Sequence, residues 1–286
     1  MTQIKERYTL TQSQKMMVFI LSMSLYGLSN MITELVPEVN VGPVNFSIEY
    51  FAFIPLTLCI LFHPFYAAIG ASFGEIIFGE IMLGQFSGFG EMEKLVIFTL
   101  AMYVAGIIVN NPKNRVQVGI AAVTGVVIHQ FLNMVSDIAK VWIGVEDFEA
   151  VSGLPQSVVA IEGFSFLNDV LFSGILFALL PTLYLVPRLY GKIEPLLGMK
   201  PCDNKTKYPI SGILKPRFIL VGVLLSAAAM GFEFLSEAGI DIFEWEADFG
   251  STAIWISLAV AAVVALITII VLVTGKNKAK RGMANE

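Results

Sequence analysis

Long apolar runs, each ended by a short polar or Pro/Gly-bearing stretch, set the pattern of this chain. Read against those breakers, they predict about eight helices, at roughly 16–34, 46–62, 65–83, 95–110, 117–139, 164–187, 217–235 and 251–274. Several reach the ~18–20 residues that a helix needs to cross a bilayer. The second and third are parted only by His63-Pro64. Proline cannot continue the helical ladder and biases the residue before it away from helical geometry, so a tight turn is expected there. A re-entrant or broken helix is the competing reading. The first run follows Lys5, Arg7 and Lys15, as a signal peptide would. No small-residue cleavage site precedes Pro37 and more spans follow, so it reads as a retained first helix.

Composition narrows the class. The chain of 286 residues is 56% hydrophobic and 14% charged, with a mean hydropathy of +0.76. Soluble domains carry roughly 25% charged residues, so a cytosolic enzyme is excluded, and the apolar content excludes disorder. The expected fold is all-α, a polytopic membrane protein. Cys59 sits in an apolar run and Cys202 in a polar loop, which leaves no disulfide framework or Cys-rich metal site.

Charge orients the spans. With the N-terminus inside, 16 of the 18 basic residues fall on inner segments: those before the first span, Lys113 and Arg115, the seven from Arg188 to Arg217, and the four from Lys276 to Arg281. Only Lys94 and Lys140 fall outside. Lys/Arg excess marks cytoplasmic loops, so both termini are expected in the cytoplasm of a multi-pass protein of the cell membrane. Glu34, Glu91, Glu93, Glu146, Asp147, Glu162 and the acids between Glu237 and Asp248 lie outside. The net charge of −5 is an average over two unlike faces and implies no nucleic-acid partner. The organisation is then a six-helix bundle over 1–188, a basic cytoplasmic connector over 189–216, two further spans over 217–275 and a basic tail over 276–286. The outer segment 236–250 is expected along the interface, anchored by Trp245.

The third helix carries the most chemistry. Ala67, Gly70, Ala71 and Gly74 recur at three- and four-residue spacings and make a smooth face that lets another helix approach closely. Glu75 emerges near that face, about 15 Å along the helix from Phe65 at ~1.5 Å per residue. A carboxylate at such depth must be paired, protonated or facing a wet cavity, so Glu75 is expected to line a binding cavity. Glu80 is a second candidate, although five residues of α-helix turn it ~140° away. The loop GQFSGFGEME surrounds Phe86 with Gly84, Gly88 and Gly90, as a lid would. Asn45, Ser47, Glu49 and Tyr50 enter the second helix from outside and are expected at the same opening. His129 and Asn133 share one face of the fifth helix, and a histidine inside a span is a functional candidate by default. Asn168 and Asp169 are expected as caps opening the sixth helix.

No Walker A, G-x-S-x-G or H-E-x-x-H pattern occurs, and no metal or cofactor is expected. His129 and Asn133 match one fragment of the intramembrane prenyl-protein proteases, whose paired-glutamate and second histidine motifs are missing.

The arrangement resembles the substrate-binding S components of bacterial energy-coupling factor (ECF) vitamin transporters. The likeness is carried by residues 12–188, and above all by FIPLTLCILFHPFYAAIGASFGEIIFGE, residues 53–80. There an aliphatic helix runs through a tight turn and proline into a small-residue helix, and Gly70-Ala71-Ser72-Phe73-Gly74-Glu75 follows the family's form. The resemblance implies a small molecule bound on the outer side, beneath the loops joining the early helices. It also implies an integral T subunit and two cytosolic ATPases as partners. The usual chain has six helices, so the last two are extra, and the Ala-x-x-x-Ala docking motif is replaced by a small face with Ser22 and Gly27. Ser22, Gly27, Ala67, Gly70, Ala71 and Gly74 are the expected partner-docking residues. A stand-alone secondary transporter relaying protons or cations through Glu75 or Glu80 is the alternative, and an intramembrane enzyme comes third.

Overall fold

The computed structural model describes residues 10–201, apart from 38, 42–43, 47, 49, 85–91, 145–147, 149 and 152, together with helical positions between 220 and 231. The chain divides into two compact units after Met230, and the described residues belong to the first save Gly231. The expected segment 236–250, the span 251–274, the tail, Lys5 and Arg7 lie outside the described residues.

α1 (Gln12–Glu34) begins ahead of its apolar run because Thr11 and Gln14 close a capping box. Thr11 Oγ1 accepts from the Gln14 N–H at 3.2 Å, and Gln14 Oε1 accepts from the Thr11 N–H at 3.0 Å. The chain then forms a short hairpin, β1 (Val39–Val41) against β2 (Val44–Phe46), with Asn40 opposite Asn45.

The helix expected over 46–62 is corrected to α2 (Phe53–Leu61), nine residues. At ~1.5 Å per residue it is about 13 Å long, well short of the ~30 Å hydrocarbon core of a bilayer. Pro55 explains the start: proline fits the first turn of a helix but not its interior. The bent lead-in is nonetheless inside the protein, with Tyr50 and Ala52 both buried. The turn at His63-Pro64 forms as expected and is a true boundary. Pro64 takes the first position of α3 (Pro64–Gly74), and His63 Nδ1 accepts from the Tyr66 N–H at 3.5 Å.

α3 runs on into a π-helical stretch, Glu75–Ile81. α4 (Met92–Ile108) and α5 (Arg115–Ile143) follow. Asn114 caps α5 through the Val116 and Gln117 N–H groups, and Gly144, at φ 77°, ends it. α6 (Val158–Leu171) passes through a second π-helical stretch, Gly174–Leu179, into α7 (Leu180–Leu189). It starts earlier than expected, so Asn168 and Asp169 sit in its last turn and do not cap its beginning.

α1 and α3 form the tightest contact of the bundle. A Cβ on Gly70 would overlap the Phe19 carbonyl, one on Gly74 the Met23 carbonyl, and one on Gly27 would lie 2.6 Å from the Gly74 carbonyl oxygen. Ser22 Oγ donates to the Ala67 carbonyl at 2.6 Å, and Ala67 and Ala71 are fully buried. The six residues expected to dock a partner subunit therefore face each other inside this chain. The close approach they permit is used by α1 and α3 themselves.

The bundle buries small polar groups within its apolar core and also turns many large apolar side chains outward. Ser22, Ser72 and Thr182 are fully buried, whereas Ile20 and Ile32 of α1, Val116 and Phe131 of α5, and Leu171 and Leu180 of α6 and α7 are exposed. Among the described residues, three helices are long and apolar enough to cross a membrane: Gln12–Glu34, Arg115–Ile143 and the continuous Val158–Leu189.

One end of the bundle is basic. Lys15 lies over the Tyr66 ring at 5.6 Å, Lys113 over Tyr190 at 5.5 Å, and Arg188 over Tyr184 at 3.7 Å. The chain after α7 folds back here. Gln14 Nε2 donates to the Gly198 carbonyl at 2.7 Å, Ile193, Leu197 and Met199 join the core, and Glu194 is fully buried. The expected connector thus begins as part of the bundle. The hairpin marks the opposite end.

Candidate functional site

The cluster around His129 gathers four elements. α5 places His129 and Asn133 one turn apart on its inward face. The lead-in to α2 brings Tyr50, α4 brings Phe98 and α1 brings Tyr26. His129 Nδ1 lies 3.0 Å from the Tyr50 hydroxyl, and Asn133 Nδ2 lies 3.4 Å from His129 Nε2. A neutral imidazole satisfies both contacts, with Nε2 accepting from the Asn133 amide and Nδ1–H donating to the Tyr50 oxygen. Ring faces wall the imidazole. Tyr50 and Phe98 both meet it edge-on at 5.1 Å, and Tyr26 stacks on Phe98 at 4.9 Å.

Tyr26 and Phe98 are fully buried and His129 is 6% exposed. Polar groups in so dry a setting are strong recognition elements when matched and costly when left unmatched. Beside Tyr50, Phe51 meets Phe177 at 5.8 Å, so the second π-helical stretch packs on the strand of chain that carries the site. π-helical turns recur at functional sites.

The structure unites some of the expected residues and separates others. His129 and Asn133 pair as the spacing suggests. Asn45 stands in β2, in the connection between α1 and α2. Glu49 and Phe86 lie outside the described residues. Glu75 begins the first π-helical stretch and Glu80 lies within it. In that stretch i→i+5 bonds replace the i→i+4 ladder, as in the Met82 N–H to Ile77 carbonyl bond of 3.0 Å. Residues five apart then sit nearly above one another, which corrects the ~140° separation that an α-helix would give Glu75 and Glu80. Glu80 pairs with Lys94 at 3.4 Å.

Sequence reasoning missed Glu93. Assigned to an outer loop, it is instead 4% exposed in the first turn of α4, where Oε1 accepts from Ser136 Oγ. The signal available was Glu93 and Ser136 each standing at the rim of an apolar run, which does not by itself bring them together. No group of three or more His, Cys, Asp or Glu suited to a metal ion occurs among the described residues.

The model of a family described as "Family of unknown function (DUF8171)" matches residues 17–281. The match takes in all eight of the expected spans save the very start of the first. No curated protein and no solved structure matches the chain.

Proposed function

The chain belongs to this family of unknown function, DUF8171, and on that premise we propose that it is a multi-pass protein of the cell membrane that captures a small molecule for import. In this reading it is the substrate-binding subunit of an ECF-type transporter, with both termini in the cytoplasm. The bundle's hairpin end faces out and its basic end faces in.

The observation that carries the reading is the Tyr50–His129–Asn133 chain, walled by Tyr26 and Phe98 beneath the connection between α1 and α2. α2 supplies helix over only part of the second crossing, and a buried non-helical lead-in supplies the rest. Non-helical backbone at membrane depth is tolerated where protein covers it or a cavity is lined by it, and broken helices of this kind mark binding sites in transporters. The apolar exterior of α1, α5 and α6–α7 suits lipid. The absence of a nucleotide motif from the sequence suits a subunit energised by an integral T subunit and two ATPases. The family match over 17–281 covers the sequence of the last two expected spans as well as that of the first six, which supports reading them together.

A stand-alone secondary transporter is favoured by a different observation, the alignment of Glu75 below the Glu80–Lys94 pair. Isolation of the tagged chain from its native membrane separates the two. The capture reading expects an integral partner and ATPases to co-purify, and no uptake by the chain alone in proteoliposomes. Uptake driven by an ion gradient without partners would overturn it.

A further inference from the structure

A cavity of about 460 Å³ lies apart from the His129 cluster, between α3, α4, α5 and the apolar helix Leu220–Ala229. Phe65 from α3, Val96 and Leu100 from α4, Leu132 and Val135 from α5, and Leu225 make its walls. Its volume is in the range of small-molecule sites.

Three polar side chains line it, and two are satisfied. Thr99 Oγ1 bonds Ser72 Oγ at 2.7 Å, and Ser136 Oγ donates to Glu93 Oε1. The third is Glu93 itself, whose Oε2 is buried with no hydrogen-bond partner. A buried carboxyl with one oxygen unmet is best satisfied by a cation or a strong donor. From Glu93 the wall runs apolar through Leu100, about 10 Å along α4 at ~1.5 Å per residue. The site therefore asks for a donor at one end and hydrocarbon beyond it, and it disfavours anions.

We propose that this cavity binds an amphipathic amine, an apolar chain carrying one ammonium group, with the ammonium on Glu93 and the chain between α3, α4 and α5. The proposal stands on a different part of the bundle from the capture site and does not depend on that reading.

The full-length chain in mild detergent, examined by native mass spectrometry with dodecylamine, dodecanol and dodecanoate as probes, tests it. Dodecylamine is expected to bind one to one and at least tenfold more tightly than dodecanol, with dodecanoate weakest. Glu93→Gln, which keeps the shape of the side chain, should weaken the amine at least tenfold while leaving dodecanol unchanged. Val96→Trp should fill the cavity and abolish binding of both. Equal binding of amine and alcohol would reduce the site to a groove for any apolar chain and overturn the proposal. So would unchanged amine binding in Glu93→Gln or in Val96→Trp. A phosphatidylethanolamine titration into the same chain distinguishes the source of the amine: displacement of dodecylamine assigns the site to a lipid headgroup, and its persistence to a free amine.

Discussion

His129 is held by two contacts that a single atom can remove. Tyr50→Phe deletes the hydroxyl facing Nδ1 and keeps the ring that packs on Phe98 at 6.0 Å. Leaving a buried donor unmet costs about 1–3 kcal/mol, so a lower melting temperature is expected by thermal denaturation, with the helical content unchanged. An unaltered melting temperature would mean that the contact contributes nothing to the bundle. At this scale the sequence was partly legible. Four-residue spacing on one helix is local, so His129 and Asn133 were readable as a pair. Tyr26 and Phe98 were not, because aromatic residues in apolar runs look alike whether they face lipid or a site.

Element boundaries were legible where a residue imposes its own geometry. Pro64 marks the turn expected of it, and Asn114 and Gly144 bound α5 through the same kind of local backbone chemistry. The start of α2 was misplaced because 46–62 is mostly apolar, and hydropathy does not separate a helix from a buried non-helical lead-in. The π-helical stretches were hidden for a related reason: one extra residue per turn leaves no mark on an apolar sequence. It changes which residues share a side, as Glu75 and Glu80 illustrate.

The α1–α3 contact makes a sharp prediction at the same scale. Gly74→Ala forces a Cβ against the Met23 carbonyl, and overpacking of this kind costs ~1–3 kcal/mol. Gly163→Ala on α6 meets nothing within 4 Å and should stabilise by up to ~1 kcal/mol through helix propensity. Parallel melting curves of the two variants check both signs.

The cap of α3 predicts a pH dependence. Burial and the nearby Lys15 charge lower the His63 pKa from 6.5 to about 4, against a smaller upward pull from a backbone hydrogen bond. Below pH 6.5 the unfolded chain takes this proton before the folded one does, so the folded state loses stability as pH falls. His63 thus contributes fully above about 6.5, progressively less toward 4, and no further change below. His63→Asn keeps a capping side chain that does not titrate, and should flatten the melting temperature between pH 6.5 and 4.

Across the whole molecule, charge and hydropathy carried the class and the packing carried the site. Three of the basic residues that sequence assigns to inner segments, Lys15, Lys113 and Arg188, lie at one end of the described bundle, each beside a tyrosine. In the proposed orientation, a reporter fused to the C-terminus should read cytoplasmic, and one inserted after Asp147 should read external. Cytoplasmic labelling at 147 would contradict the eight-span topology and the likeness to S components with it. Small-residue stripes announce a close helix contact without saying whose helix it is, and here α1 and α3 turn theirs on each other.

The central claim is that the cluster around His129 holds a small molecule. Its most direct test is mass spectrometry of what the wild-type chain and a His129→Ala variant release after purification in mild detergent. The account predicts one non-lipid small molecule in near-stoichiometric amount from the wild type, reduced at least tenfold in His129→Ala and retained by Glu93→Gln. The same molecule released in equal amount by wild type and His129→Ala would contradict it.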